Sequence, residues 1–378
     1  MATITRILKG ARHGLFVLPA ITALLLYKLL PAYPHFTEKV ITGGFFRFIS
    51  VPLGWIVSWI PFSVTELLVV CAAPAVILGS VILIRRIVKN SGRRLAIIAR
   101  AGKVAGWVLS SSLLMYMLMH GANFYRLPAA EILGLDPPPM ETEILYSLCA
   151  DLAVLASAER EVLAEDENGY MILKDGGDAA LRVAGEGYRV LDDKFPVLWG
   201  GVNRAKPVRL SHFWSYTGIA GMYFPFLGES NVNIDQPDSF IPSTAAHELA
   251  HTRGFAREDE CNFFAILSCL EHPSAEYRYS GYLMAFIYCS NELYRIDKDL
   301  WAEARAKCSG KVNADLHQHS EYWKQFEGPV KTGSEKVNDS FIQSQGVSDG
   351  TRSYSRVTSL LVSWYSQADN FNSKAVFE

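Results

Sequence analysis

The chain has 378 residues, half of them hydrophobic, and a formal net charge of −2 at pH 7. The charge is distributed unevenly along the chain. Residues 1–126 hold 14 basic and two acidic side chains, while residues 127–378 hold 22 basic and 36 acidic ones. A basic, apolar first part predicts contact with a lipid bilayer, and an acidic second part predicts a domain in water. Nothing in this distribution indicates a nucleic-acid partner, and none is expected.

Three apolar runs in the first part predict transmembrane helices, at about residues 14–31, 66–84 and 104–122. Each run has roughly the length that a helix needs to cross the hydrocarbon core, and Lys28 lies close enough to an end for its amine to reach the headgroups. Three such runs close together fit the buried core helices of a soluble domain poorly. The sequence therefore predicts a membrane anchor over residues 1–126.

The segment at residues 45–62 is also apolar, but its two tryptophans and two prolines are more typical of the membrane interface than of a span. Basic residues precede the first span, at Arg6, Lys9 and Arg12, and fill the loop between the second and third spans. The positive-inside rule puts both basic groups in the cytoplasm only if residues 45–62 do not cross. We therefore predict three spans, a cytoplasmic N-terminus and an extracytoplasmic domain.

The second part begins with a proline-rich stretch, residues 127–140, which predicts a linker. Apolar residues three and four apart then predict amphipathic helices over residues 141–164 and 179–191. Residues 206–234 are instead rich in aromatic residues and glycine and contain short alternating pieces, which predict strands and turns. The expected fold class is α+β and mostly helical, with one domain over residues 141–378.

Helices dominate the remainder of the chain. Residues 237–242 lead into a helix for which Ser243 and Thr244 are the candidate N-caps. Apolar periodicity predicts three later helices, over about residues 257–271, 281–297 and 354–366. The residues that can carry chemistry lie at the start of this helical region.

Residues 247–251 read HELAH, and on a helix His247 and His251 lie one turn apart on the same face. Two imidazoles at that spacing can bind one Zn²⁺, and Glu248 is then placed to take a proton from a zinc-bound water. Bound zinc lowers the pKa of that water to roughly 7. The motif therefore predicts one zinc ion per chain, two histidine ligands and a glutamate base. A charged surface helix that contains the motif by chance is the alternative.

A catalytic zinc needs a third protein ligand, and the residues after Gly254 offer two glutamates. Glycine is suited to end a helix in a left-handed turn, so a second helix is expected soon after it, with Glu258 in its first turn. Asn262 lies four residues later on the same face, where its oxygen could accept a hydrogen bond from a histidine ligand. We therefore favour Glu258 as the third ligand, with Glu260, on a different face, as the alternative.

Zinc hydrolases with this motif bind substrate along an edge strand that precedes the motif helix. The stretch GESNVNI, residues 228–234, is the candidate strand, and an ordinary surface strand is the alternative. Asn231 and Asn233 share one of its faces and are the candidate substrate-binding residues. Four further side chains could donate to an oxyanion, although packing explains each of them as well: Tyr223, Tyr282, Arg352 and Tyr354.

Three stretches carry a resemblance to a known family: GMYFPFLGESNVNI, HELAHTRGFAREDECNFFAILSC and YRYSGYLMAFIY. They resemble the core of a bacterial family of multi-span membrane proteins of unknown function, which is assigned to the zincin-like metallopeptidase superfamily. The similarity extends from the first span to the stretch DGTRSYSRV at residues 349–357. The resemblance implies a zincin-like ectodomain on a protein of the bacterial cell membrane, and it names no substrate.

Within that superfamily the resemblance implies a gluzincin-type site, in which both histidines of the motif bind zinc, Glu248 is the base and a glutamate follows on the next helix. The residues from Glu258 to Asn262 read EDECN, similar to the ExxAD of prenyl-protein endopeptidases and their relatives. The spacing departs from theirs, because only six residues separate His251 from Glu258. In the longer HExxHxxGxxH pattern of metzincins, the third-ligand position falls on Arg257.

These observations predict a membrane-anchored zinc metallopeptidase that hydrolyses peptide bonds at the extracytoplasmic membrane surface. Its partners would be a peptide or protein substrate and the lipid bilayer. Glu248 argues against a purely structural zinc site, which needs no carboxylate beside the ligands. Two alternatives keep the same residues: a catalytically inactive sensor or scaffold, and a zinc hydrolase of a non-peptide amide.

Overall fold

The structure is a computed structural model that describes residues 14–135, 141–199, 204–345 and 354–367. Several sequence-based expectations lie outside these residues, namely those on Arg6, Lys9, Arg12, residues 136–140 of the linker, Arg352 and the side chain of Tyr354. Within the described residues helices dominate and the strands form one small sheet. The expected class, mostly helical with a few strands, is confirmed.

The chain folds into two compact units. The first unit comprises residues 14–46 and 64–126, and the second comprises residues 47–63 together with the chain from residue 127 onward. The sequence assigns residues 47–63 to the membrane anchor, whereas in the structure they pack with the second unit. The reason is a set of hydrogen bonds between this segment and the sheet, described below.

The first part of the chain, up to Met119, contains long apolar helices. Among the residues that the structure describes, four helices are long and apolar enough to cross a membrane: Leu15–Ala32, Pro34–Ser58, Val64–Lys89 and Ser91–Met119. Their composition supports association with a membrane. The sequence predicts three spans, and the additional candidate, Pro34–Ser58, contains most of the predicted interfacial segment. The number of helices that cross a bilayer stays a prediction.

Polar side chains tie together the ends of the helices in the first unit. Arg126 is buried and forms a two-pronged ion pair with Glu38, at 2.7 and 2.8 Å. Thr42 Oγ1 donates to Asn123 Oδ1 at 2.8 Å. Both pairs attach the π-helical stretch Thr37–Phe46 to the turn that follows the last long helix, with the buried charge paired and hydrogen-bonded.

The second unit contains one apolar core, to which most of its helices contribute side chains. The bounds of its helices are Arg47–Ser58, Ala129–Leu133, Thr142–Arg160, Gly177–Val183, Glu186–Lys194, Ser211–Ser215, Ile241–His251, Glu258–Leu270, Ala275–Ile296, Lys298–Arg305, Gly310–Lys324, Pro329–Ser344 and Tyr354–Ser366. We refer to Ile241–His251 as the motif helix and to Glu258–Leu270 as the glutamate helix. These two helices pack against each other and against Ala275–Ile296 in the centre of the core.

Two segments of the second unit differ from their sequence-based predictions. The helix expected over residues 179–191 is divided at Gly185 into two shorter helices, because glycine propagates a helix poorly. The beginning of the expected linker is helical over Ala129–Leu133, and Ala129 and Leu135 are buried in the core. The burial of apolar side chains therefore outweighs the proline-rich composition there.

The motif helix begins at Ile241, so the expected N-caps Ser243 and Thr244 are wrong. Ser243 lies inside the helix, and its Oγ donates to Phe240 O at 3.1 Å. Pro242 stands in the first turn, where its missing N–H needs no partner and its fixed φ suits a helix. The helix therefore starts earlier than side-chain capping suggests.

The sheet of the second unit has three strands, β1 (Lys206–Val208), β2 (Gly221–Phe224) and β3 (Glu229–Asn233). Their order is β1–β3–β2, with β1 parallel and β2 antiparallel to β3. Side chains alternate between the two faces of a strand. Ser230 faces the motif helix, where its Oγ donates to Glu248 O at 2.8 Å, whereas Asn231 faces the opposite side. One face of the sheet thus covers the motif helix.

Candidate metal centre

The motif helix holds His247 and His251 on one face, in agreement with their four-residue spacing. The ring centroids lie 5.1 Å apart and the ring planes are nearly perpendicular, at 82°. His251 is buried and His247 is partly buried. Both rings can therefore turn one nitrogen toward the same point.

Gly254 reverses the chain after the motif helix. Its φ of +74° lies in the left-handed region, which glycine adopts without strain. Its N–H donates to His251 O at 3.0 Å, and the glutamate helix begins soon afterwards, at Glu258. The expected order of helix, glycine turn and second helix is present.

Glu258 lies in the first turn of the glutamate helix and faces both histidines. Its Oε2 lies 3.1 Å from His247 Nε2, and its Oε1 lies 3.9 Å from His251 Nε2. One donor atom from each of the three side chains lies within 4.8 Å of the other two. We refer to these residues as the triad. Donor atoms grouped in this way could hold one metal ion.

Hydrogen bonds on the far side of each imidazole determine which nitrogen faces Glu258. His247 Nδ1 donates to Asn262 Oδ1 at 2.7 Å, and His251 Nδ1 donates to Phe255 O at 2.8 Å. Because Nδ1 carries the hydrogen, the lone pair of each neutral ring is on Nε2. Histidine ligands of metals are held in this way by an oxygen on the other nitrogen. Asn262 therefore has the contact that the sequence predicts.

Burial and neighbouring charge affect the two histidines differently. Burial lowers the pKa of His251 to about 4, so this ring is neutral at pH 7. Burial also lowers the pKa of His247, but the hydrogen bond and the attraction to Glu258 outweigh it and raise the pKa to about 9. His247 and Glu258 thus share a proton at the point where a cation would bind, and cation binding would release that proton.

Glu248 lies next to His247, but its carboxyl is not part of the triad. It lies against Gly221 of β2 and accepts a hydrogen bond from the backbone N–H of Tyr223. Its Oε2 is buried and has no hydrogen-bond partner among the described residues. Burial raises the pKa of this carboxyl to about 8. A group with such a pKa can exchange a proton near neutral pH.

Glu260, the alternative third ligand, points away from the histidines. Its Oε1 accepts hydrogen bonds from Ala129 N–H at 2.8 Å and from Arg257 Nη2 at 2.9 Å. Arg257 Nη2 also donates to Leu127 O at 2.8 Å. Both side chains thus hold the chain at residues 127–129. Of the two glutamates, Glu258 is the one that the fold brings to the histidines.

The expectation that β3 is an edge strand is wrong, because β3 lies between β1 and β2. Asn231 and Asn233 are both fully buried. Asn231 accepts a hydrogen bond from Ser63 and donates to β2, while Asn233 Nδ2 donates to Ser215 Oγ at 2.9 Å and to Ile219 O at 3.1 Å. Their amides hold the sheet to its surroundings, so they are not positioned to bind a substrate chain.

β2 is one of the two outer strands, and one of its residues has a role that the sequence analysis missed. Gly221 leaves the space that the Glu248 carboxyl occupies. A glycine inside a strand often marks such a close approach, and this signal could have identified Gly221. Tyr223 stacks on His251 with ring centroids 5.7 Å apart. Tyr282, another oxyanion candidate, packs against the core.

Comparison with known protein families matches residues 42–362 to DUF3810, described as a protein of unknown function. The match covers most of the chain and includes the sheet, the motif helix and the glutamate helix. This supports the resemblance to a family of unknown function, while the relation of that family to zincins stays a prediction. No curated protein and no solved structure matches the chain significantly.

Proposed function

The chain belongs to DUF3810, a family of unknown function, and from its candidate metal centre we propose that it is a membrane-anchored zinc metallopeptidase. The observation that carries this proposal is the position of Glu248, whose buried carboxyl lies beside the triad without belonging to it. A site that only stores or senses a cation has no use for such a carboxyl. A hydrolase needs one to move protons.

The donor set of the triad fits a catalytic zinc ion. Two histidines and one glutamate are the ligands of a well-known class of zinc hydrolases, in which a further position stays open to water or substrate. The Nδ1 hydrogen bonds of His247 and His251, and the approach of Glu258 to both Nε2 atoms, support zinc binding here. When bound, zinc would polarise a substrate carbonyl and lower the pKa of water.

Glu248 moves the protons of peptide hydrolysis. As water adds to the scissile carbonyl carbon, Glu248 accepts a proton from it, and the same carboxyl returns a proton to the leaving nitrogen as the C–N bond breaks. Burial raises the pKa of this carboxyl, which favours the donation of its proton to the leaving nitrogen. Gly221 and the Tyr223 N–H hold the carboxyl in position for both transfers.

β2 is the strand along which a peptide substrate would extend. Asn233 N–H donates to Ala220 O, and hydrogen bonding alternates along an antiparallel pair, so Gly221 directs its backbone N–H and C=O away from β3. These groups lie beside Glu248. A substrate strand that pairs with them would bring a backbone carbonyl to the metal centre. In this proposal β2 replaces β3, the strand that the sequence suggested.

The proposal also includes a location. The apolar helices Val64–Lys89 and Ser91–Met119 support a multi-pass anchor. The positive-inside rule, applied to the basic residues near their junction, favours a cytoplasmic loop and N-terminus. The metal centre would then face the extracytoplasmic side of a bacterial cell membrane, with a peptide or protein segment as substrate.

The test measures zinc and peptide cleavage on the same purified full-length protein. Wild type is compared with Glu248→Gln and with Glu303→Gln, a matched control at an exposed glutamate. Zinc is counted by mass spectrometry, and cleavage is followed on a library of quenched fluorescent peptides. We expect about one zinc per chain in all three proteins. Cleavage should fall at least about 100-fold in Glu248→Gln alone.

Three results would contradict the proposal. Well-folded wild type without zinc would show that the triad is an ordinary hydrogen-bonded cluster. Wild type that holds zinc but cleaves no peptide would favour a sensor, a scaffold or a hydrolase of non-peptide amides. Cleavage that persists in Glu248→Gln would show that another residue is the base.

A further inference from the structure

The helix Arg47–Ser58 and the turn after it have one buried and one uncovered face. Ser50, Gly54 and Val57 form the buried face. The opposite face, which we call the aromatic face, consists of Phe48, Val51, Trp55, Ile56, Trp59 and Phe62. Phe48 is 79% exposed and Trp59 is 74% exposed. A contiguous apolar surface of this kind marks an interaction site more often than scattered exposed residues do.

The buried face is held to the sheet by polar groups that are themselves buried. Lys206 Nζ of β1 donates to Val57 O at 2.8 Å and pairs with Glu229 Oε1 of β3 at 2.8 Å. Arg204 Nη2 donates to Ile60 O at 2.7 Å. These bonds attach the segment to the sheet on the face opposite the motif helix. The aromatic face is therefore a surface of the unit that contains the metal centre.

A second connection runs from the end of this segment to β2. Ser63 Oγ donates to Asn231 Oδ1 at 2.5 Å, and Asn231 Nδ2 donates to Met222 O at 3.2 Å. In β2, Met222 is flanked by the two residues that contact the Glu248 carboxyl. Two hydrogen bonds thus link the segment to the strand that positions the proposed base.

The helix Arg47–Ser58 is the last part of the continuous helical run Pro34–Ser58, which is long enough to cross a bilayer. Its buried face, however, contacts the buried Lys206–Glu229 ion pair through Val57 O, and such a pair belongs in a protein interior and not in lipid. A helix with one apolar, tryptophan-containing face is suited to lie in the plane of the membrane surface.

We propose that the aromatic face docks into the surface of a lipid bilayer and seats the second unit on the membrane. Chain continuity supports this partner, because the next helix, Val64–Lys89, begins directly after Ser63 and its most apolar window is entirely uncovered. Trp55 and Trp59 then lie at the level of the headgroups. Membrane docking of this face does not depend on the proposed peptidase activity. If the protein is also a peptidase, as proposed above, its substrates are peptide segments close to the bilayer.

The test measures the depth of spin labels on the full-length protein in liposomes of phosphatidylethanolamine and phosphatidylglycerol. Cys71 is the exposed one of the six cysteines, so single labels are introduced in a Cys71→Ala background. They are placed by Phe48→Cys, Trp55→Cys or Trp59→Cys, with Val162→Cys, at a residue that is 75% exposed, as the control. Collisions with oxygen report lipid, and collisions with chromium oxalate report water.

We expect labels on the aromatic face to collide several-fold more with oxygen than with chromium oxalate, and the control label to show the reverse. More collisions with chromium oxalate at all three positions would place the face in water and overturn the proposal. Labels that reach the bilayer centre would overturn it in favour of a crossing helix. Labels shielded from both reagents, with a dimer by light scattering, would assign the face to a second copy. Circular dichroism checks each fold, and the three sites are independent of catalysis.

Discussion

Gly221 of β2 lies directly against the Glu248 carboxyl, and a β-carbon on Gly221 would overlap Oε1, Cγ and Cδ of that side chain. The strand and the motif helix can approach each other this closely only because residue 221 has no side chain. The same approach lets Tyr223 N–H reach the carboxyl. The packing of β2 on the motif helix therefore affects the acidity of Glu248, because the close approach buries the carboxyl and burial raises its pKa to about 8.

Gly221→Ala should displace the Glu248 carboxyl while leaving the donor atoms of the triad in place. Because a misplacement of about 1 Å in a catalytic group can lower a rate about 100-fold, we expect a loss of that order in peptide cleavage with zinc content unchanged. The matched control is Gly177→Ala, where an added β-carbon meets ordinary contacts at 3.6 Å. Equal cleavage by the two variants would show that Glu248 does not depend on this space.

The local part of the candidate site could be predicted from the sequence, because helical periodicity and one glycine determine it. The spacing of His247 and His251 sets their common face, and Gly254 ends the motif helix in a left-handed turn. The four-residue spacing between Glu258 and Asn262 puts both side chains on the face that meets the histidines. Each of these inferences needs only residues that are close in the chain.

The non-local part could not be predicted in this way. Whether β3 lies at the edge or in the centre depends on its pairing with β1 and β2, which the alternation within one strand does not reveal. Gly221 meets Glu248 only because the sheet packs on the motif helix. Glu260 turns toward Ala129, which is 131 residues away in the chain. Packing between distant segments decides all three.

The two candidate glutamates should differ in zinc binding. Glu258→Gln removes an anionic donor from the triad, so we expect loss of zinc during dialysis against a weak chelator. Glu260→Gln should keep its zinc but unfold at a lower temperature, because Glu260 bonds to Ala129 and Arg257. Zinc per chain is counted by mass spectrometry. Zinc kept in Glu258→Gln and lost in Glu260→Gln would move the third ligand by two residues.

Substitution of Asn262 should change the zinc affinity of the triad, although Asn262 does not bind zinc itself. Its Oδ1 accepts the hydrogen of His247 Nδ1 at 2.7 Å, so Asn262→Ala lets the ring turn and should weaken binding by about 10- to 100-fold. Asn262→Asp keeps an acceptor and should retain affinity. Competition with a fluorescent zinc chelator gives the dissociation constants, and Asn338→Ala, at an exposed asparagine, is the control. Unchanged affinity in Asn262→Ala would mean that the helix alone orients the ring.

The buried ion pair of Lys206 and Glu229 should connect the stability of the sheet with the attachment of residues 47–63. Their side chains are 1% and 0% exposed, and Lys206 Nζ also donates to Val57 O. Lys206→Met leaves the Glu229 carboxylate buried without its cation, a change that typically costs about 3–5 kcal/mol of unfolding free energy. We expect a lower unfolding midpoint on chemical denaturation, together with faster amide hydrogen exchange over residues 47–63.

A second variant separates the charge from the attachment. Lys206→Met combined with Glu229→Gln removes the buried negative charge and should recover part of the lost stability. It does not restore the bond to Val57 O, so hydrogen exchange over residues 47–63, measured by mass spectrometry on the full-length protein, should stay fast. Protection of this segment at the wild-type level in both variants would show that Lys206 does not attach it to the sheet. Residues 47–63 would then be held to the second unit by other contacts, among them those of Arg204, of Ser63 and of Arg47 with Trp199.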